Sequence, residues 1–215
     1  GEFSIDWAKE DLENVKKSII KKYNAEIHSQ SSIEGALELQ AEHGFTWDQI
    51  EHIGIDIFDV AFHIIGGGEE GDKTIIRTKE EADHSLQYMV GVALIDGNVL
   101  PAQYEGERVT RGDIQSLLQR FTVKPKQEYT DRFPQEVCTD LAITLKDGTV
   151  HKITKTDYEG FNTRPMSWDT VEAKFTNLAT PFTSARTRNA IVDAAKNLEK
   201  VSARELAAIL GNLNA

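Results

Sequence analysis

Among the groups of this chain that could do chemistry, His84 stands out by its surroundings. It lies in Arg77-Thr78-Lys79-Glu80-Glu81-Ala82-Asp83-His84-Ser85, a charged run that leads into an apolar one. An imidazole at a helix start meets backbone N–H groups that favour its neutral, basic form and also attract a carboxylate. Lys79 could add positive charge or, partly desolvated, act as an acid. A base, an acid and anion-holding cations are what proton transfer beside a carboxylate requires. Each residue also has a plainer role on sequence alone. His84 could simply bond the first turn of a buried helix, and Lys79 could be an exposed lysine between acidic neighbours. Arg77 is either a carboxylate clamp or a surface arginine. His28, in a loop, is a side chain bonded to backbone unless it faces a site.

No metal set is visible. The six histidines are scattered without a His-x-x-x-His pair, and one cysteine cannot hold an iron–sulfur cluster. Chemistry without metal or cofactor is the consistent expectation. Cys138 has no evident basic neighbour and reads as a packing cysteine rather than a nucleophile. Gly66-Gly67-Gly68 lacks the Gly-Lys-Ser/Thr of a phosphate loop and is followed by Glu69, Glu70 and Asp72, so a connecting segment is expected.

The element that must position His84 is the run that follows it. Leu86, Met89, Val90, Ala93 and Leu94 keep helical spacing, and Tyr88, Val92 and Ile95 add a second stripe, so a largely buried helix is expected with Gly97 as its stop. Its cap is either Thr78, in a capping box with Glu81, or Asp83. The choice matters. A continuous helix from Thr78 points Lys79 and His84 in different directions, whereas a start at Asp83 leaves Lys79 in a loop that can turn toward His84.

Upstream, residues 8 to 23 carry Leu12, Val15, Ile19, Ile20 and Tyr23 at helical spacing, and a second helix with a Ser31–Glu34 capping box stops near Gly44. From Ile50 the period becomes alternating. Ile53, Ile55 and Ile57 share a face, while Phe58, Val60, Phe62 and Ile64 have the opposite parity, which predicts a β-bulge or strand break near Ile57 or Phe58. Short helices are expected at Pro101–Glu105 and Arg111–Gln119, a strand at Phe121–Val123 and a loop from Pro125 to Arg132. Val137 to Leu145 alternates cleanly and meets a two-residue Asp147-Gly148 hairpin turn before a return strand over about Thr149–Thr156. Ser167 starts further helices to Leu210, interrupted at Pro181.

The chain of 215 residues is 40% hydrophobic, enough for a sizeable core, and its 35 acidic against 24 basic residues give a net charge of −11. That charge disfavours nucleic acid and anionic membrane as partners, and requires a local basic pocket for an acidic ligand. A lone cysteine, with neither a signal peptide nor a membrane-length apolar run, points to a reducing, cytoplasmic setting. Gly1-Glu2-Phe3 reads as a cloning remnant.

The run 77–85, continued by Leu86-Gln87-Tyr88-Met89-Val90 and closed by Asp96-Gly97, resembles the central signature of the MmgE/PrpD family. Tyr23-Asn24-Ala25-Glu26-Ile27-His28-Ser29-Gln30, Leu145-Lys146-Asp147-Gly148 and Asn162-Thr163-Arg164-Pro165-Met166-Ser167 resemble it in the right order, so the likeness spans nearly the whole chain. Family members are longer, and this sequence resembles their C-terminal half. The resemblance implies an α+β lid domain with a mixed sheet over residues 46–165, flanked by residues 1–45 and 166–215 as helices of an all-α domain. It implies a metal-independent hydro-lyase of the 2-methylcitrate dehydratase type, active in propionate catabolism on a tricarboxylate. His84 and Lys79 would be catalytic and His28, Gln30 and Arg77 substrate-binding. Decarboxylation of cis-aconitate and epimerisation of iminodisuccinate belong to the same family, and all three share proton transfer beside carboxylates. A homodimer is expected, and this portion alone is expected to be inactive. The rival of another kind is a noncatalytic interaction or dimerisation module.

Overall fold

The computed structural model describes residues 4, 6–9, 13–69 and 71–211. Gly1-Glu2-Phe3, Leu12 and Glu70 lie outside the described residues. The chain divides into two compact units, residues 1–165 and 166–215.

The first unit is built on a four-stranded mixed sheet. Helix α1 (Gln30–His43) leads into strand β1 (Ile50–Ile57). After the short α2 (Lys79–Asp83) comes the buried α3 (Leu86–Asp96), then α4 (Gly112–Leu118), β2 (Phe121–Pro125), α5 (Gln127–Arg132), β3 (Thr139–Leu145) and β4 (Val150–Lys155). The strand order is β2-β1-β3-β4, parallel between β1 and β2 and antiparallel elsewhere. The expected α+β class is therefore present. Ile53 and Ile55 of β1 sit opposite Ile143 and Leu141 of β3, and all four are buried. Helix α1 lies close on this face. At Gly35 a Cβ would stand 3.1 Å from Lys155 Cγ and 3.2 Å from Ile153 Cγ2, so the glycine permits the approach. Ser32 and Thr139 share a buried hydroxyl hydrogen bond of 3.0 Å, and Gln40 Nε2 donates to the Leu94 carbonyl, tying α1 to α3.

Helix α3 is apolar on nearly every side because every side is covered: Leu86 to Leu94 are all buried. Its cap differs from both sequence expectations. Ser85 caps it, its Oγ accepting from Tyr88 N–H, while the Thr78–Glu81 capping box starts the separate α2. His84 sits at the break between the two helices, with φ −114° and ψ 22°.

Several local expectations are corrected. In the segment expected as a helix from 8 to 23, the described part holds a 3₁₀ turn at Glu13–Lys17, and Ile20 and Asn24 N–H groups donate instead to the Gly160 and Val99 carbonyls. Val15, Ile19 and Ile20 remain exposed, so these residues offer no packed face to reward a helix. Helix α1 starts at Gln30, one residue before the proposed Ser31 cap. The strand does break at Phe58, but residues 59–66 are helical, turning from α to π geometry. Phe58, Ala61 and Ile65 are buried at i, i+3 and i+7, a spacing that alternation had masked. The expected loop 125–132 contains α5, which buries Tyr129. The hairpin loop has three residues rather than two. Leu145 N–H bonds to Thr149 O and Gly148 N–H to Leu145 O, with positive φ at Gly148.

The second unit is helical, as expected. It comprises α6 (Trp168–Ala179), a 3₁₀ turn at Thr180–Phe182, α7 (Ala185–Lys196), a second 3₁₀ turn at Leu198–Lys200 and α8 (Ala203–Leu210). Ser167, Ser184 and Ser202 cap the three α-helices. Among the described residues no helix is long and apolar enough to cross a membrane.

Candidate active site

The break at His84 has a geometric consequence. Lys79, at the start of α2, and His84, just past its end, line the same cavity of about 280 Å³, together with Asp83, Lys21, Asn24, Ala25, Glu26 and Tyr104. Two segments far apart in sequence, 21–26 and 79–84, thus form one wall around one space. The Tyr23–Gln30 stretch is held there by α1. The fully buried Gln30 side chain accepts from Tyr23 N–H at 3.0 Å and donates to the carbonyls of Tyr23, Ala25 and Glu26.

His84 Nδ1 lies 2.5 Å from Asp83 Oδ1 and 3.3 Å from the Glu80 carbonyl oxygen. Both partners only accept, which assigns the proton to Nδ1 and leaves the Nε2 lone pair of the neutral ring free to take one. With its side chain 56% exposed, His84 is accessible and contributes little to packing. Lys79 is exposed and makes no ion pair among the described residues. Lys21 Nζ donates to the Ala25 carbonyl at 3.0 Å. Glu26 is turned into the local fold, its Oε2 accepting from His28 N–H at 2.7 Å. The cavity therefore presents two ammonium groups and one imidazole against two carboxylates.

The remaining sequence-predicted residues lie outside the cavity lining. Gln30 spends its amide on backbone. His28 is mostly buried between Phe58 and Phe133, with ring centroids at 5.4 and 5.7 Å. Its Nδ1 lies 2.8 Å from Glu26 Oε1 without forming a hydrogen bond. Arg77 is exposed, and its backbone N–H donates to Glu81 Oε2.

Sequence reasoning passed over Lys21, Asn24, Glu26 and Tyr104 as site residues and took Asp83 only as a helix cap. Asn24 and Glu26 stand within the Tyr23–Gln30 stretch already singled out, and a carboxylate next to His84 is a local signal. Tyr104 carries no such signal, since it is brought in by a 3₁₀ turn, Pro101–Tyr104. Burial, and then the charge of Asp83, push its phenol well above the ordinary range. Cys138, fully buried, is pushed up to about 12, first by burial and then by its bond to Glu136; Arg132 lies near enough to oppose this without overcoming it. Among the described residues no three His, Cys, Asp or Glu side chains converge to hold a metal ion.

A family model for the MmgE/PrpD C-terminal domain matches residues 23–200, and the chain belongs to that family. It is 31% identical over 147 residues to 2-methylcitrate dehydratase of Cupriavidus necator, 65% of this chain and 29% of that protein. It is 30% identical over 146 residues to the probable 2-methylcitrate dehydratase of Saccharomyces cerevisiae, 64% of this chain and 27% of that protein. Mouse cis-aconitate decarboxylase is 25% identical over 155 residues, 72% of this chain and 30% of the decarboxylase. The matches thus span less than a third of these relatives' lengths.

Proposed function

We propose that this chain forms one wall of the active site of a lyase that eliminates water from a tricarboxylate of the 2-methylcitrate type. The observation that carries the reading is the meeting of segments 21–26 and 79–84 around one cavity that holds two lysines and an Asp83–His84 pair. His84, with Nδ1 anchored by Asp83, takes the proton beside a substrate carboxylate through Nε2. Lys79 holds a carboxylate or protonates the departing hydroxyl. Gln30 acts at one remove by fixing the Asn24–Glu26 wall, His28 by packing beneath it, and Arg77 approaches substrate only from the exposed rim.

Further acid–base groups and clamps come from the rest of such an enzyme, so the 215-residue chain alone turns over no measurable substrate. Residues 166–215 belong with its helical domain, a reading supported by the exposed Trp168, Phe182 and Leu198. The enzyme is a cytoplasmic homodimer that works without metal or cofactor. Decarboxylation of cis-aconitate is the second reading, favoured by the decarboxylase match covering 72% of this chain.

The enzyme carrying this chain is to be incubated with 2-methylcitrate, citrate and cis-aconitate, following the new double bond by ultraviolet absorbance and released carbon dioxide separately. Dehydration of 2-methylcitrate is expected. Carbon dioxide from cis-aconitate would replace the first reading by the second, and no turnover of any acid would overturn both.

A further inference from the structure

Tyr104 brings to the cavity wall a polar group that the proposed mechanism does not use. Tyr104 is 3% exposed, and its hydroxyl is buried without a hydrogen-bond partner among the described residues. Unpaired buried hydroxyls are costly and uncommon, because the group gives up water and gains nothing. The residue is also firmly held. Its ring packs on that of Tyr88 at 6.0 Å between centroids, and the Tyr88 hydroxyl donates to the Gln103 carbonyl beside it. Gln103 in turn accepts from Leu100 N–H and donates to Asp96 Oδ2, and Asp96 is paired with Arg108 through two hydrogen bonds. A stiff support with an unsatisfied donor at its tip is what a ligand contact needs before the ligand arrives.

We propose that the Tyr104 hydroxyl donates a hydrogen bond to an oxygen of the bound polycarboxylate, making Tyr104 a substrate-contacting residue beside Lys79 and His84. This inference rests on the site reading given above. Burial and the neighbouring Asp83 charge keep the phenol protonated, so it serves as a neutral donor and carries no proton in the reaction. It differs in this from Lys79, which attracts any anion. A donor fixed on a turn selects where one oxygen sits, and so contributes to orientation.

The test uses the enzyme carrying this chain and citrate as probe, with Tyr104→Phe and His84→Ala as variants, reading thermal melting without citrate and citrate affinity by titration. Tyr104→Phe should melt at or above the wild-type temperature, because the lost hydroxyl has no partner among the described residues. It should bind citrate about tenfold or more weakly, the scale of one hydrogen bond to a charged group. Undiminished affinity in Tyr104→Phe, with His84→Ala weakened, would overturn the role of Tyr104 and leave the site reading standing. Earlier melting of Tyr104→Phe without citrate would show a structural bond and overturn the role as well. A wild-type enzyme carrying this chain that binds neither citrate nor 2-methylcitrate nor cis-aconitate would overturn this inference together with the site reading.

Discussion

Two clusters of charge in the first unit are built in opposite ways. Around Glu34, 4% exposed in its side chain, every group is answered. Lys22 and Lys155 approach at 3.3 and 3.1 Å, Arg164 pairs with it as well, and Glu159 N–H donates at 3.1 Å. Each of the three cations keeps a second carboxylate, Glu159 for Lys22, Glu38 for Lys155 and Asp157 for Arg164. Around the cavity, by contrast, Lys79 has no ion pair among the described residues, the Tyr104 hydroxyl is unpartnered and His84 is open to solvent. A saturated network holds chain segments together. An unsaturated one leaves binding capacity for something else. Arg164, part of a family-like motif, falls in the first kind, so a signature residue can serve the fold rather than the chemistry.

The comparison breaks most sharply at Glu34. Glu34→Gln should cost about 3 kcal/mol, near the low end for breaking a buried ion pair because each cation retains its other carboxylate. Denaturant unfolding checks this; a loss within a few tenths of a kcal/mol would show that the network is not structural. Next comes the wall. Gln30→Met keeps the length but leaves Tyr23 N–H without its acceptor, and should destabilise by about 1–2 kcal/mol while lowering citrate affinity through a loosened Asn24–Glu26 segment. Stability lost with affinity intact would separate Gln30 from the site.

The smallest effect is on acid stability. Burial pushes the Glu34 carboxyl up, but the bonds from Arg164, Glu159 N–H and Lys155 outweigh it and hold it below its ordinary value of 4.5. A folded pKa below the unfolded one gives stability that is complete above the unfolded value and lost as pH falls through the folded one. Melting temperature should therefore drop more steeply below about pH 4.5 in wild type than in Glu34→Gln. Equal slopes would remove Glu34 from the acid response.

Much of this was legible in the chain. Clean alternation from Thr139 to Leu145 gave β3, and the apolar run from Leu86 gave the buried helix, because period-two and all-round apolar patterns admit few alternatives. Residues 58–66 misled because Ala61 and Ile65, lying between the alternate apolar positions, complete an i, i+3, i+7 set with Phe58, and tertiary packing chose that set. The turn pair Asp147-Gly148 located the hairpin but implied a loop one residue too short, since the same pair also fits a three-residue loop with Gly148 at positive φ. Within the cavity, Lys79 and His84 were visible as a motif, but their meeting depended on Ser85 taking the cap from Thr78 and Asp83. Tyr104 and Lys21 arrive from other elements, and sequence spacing holds no record of that.

The central claim, that the unsaturated cluster is the working site and the saturated one its support, is tested most directly by His84→Ala in the enzyme carrying this chain, measuring turnover of 2-methylcitrate and melting temperature on the same preparation. Turnover should fall roughly a hundredfold or more, the scale of a lost acid–base group, with melting nearly unchanged because His84 is largely exposed. A variant that melts much earlier yet keeps its turnover would contradict the account and make His84 a residue of the fold.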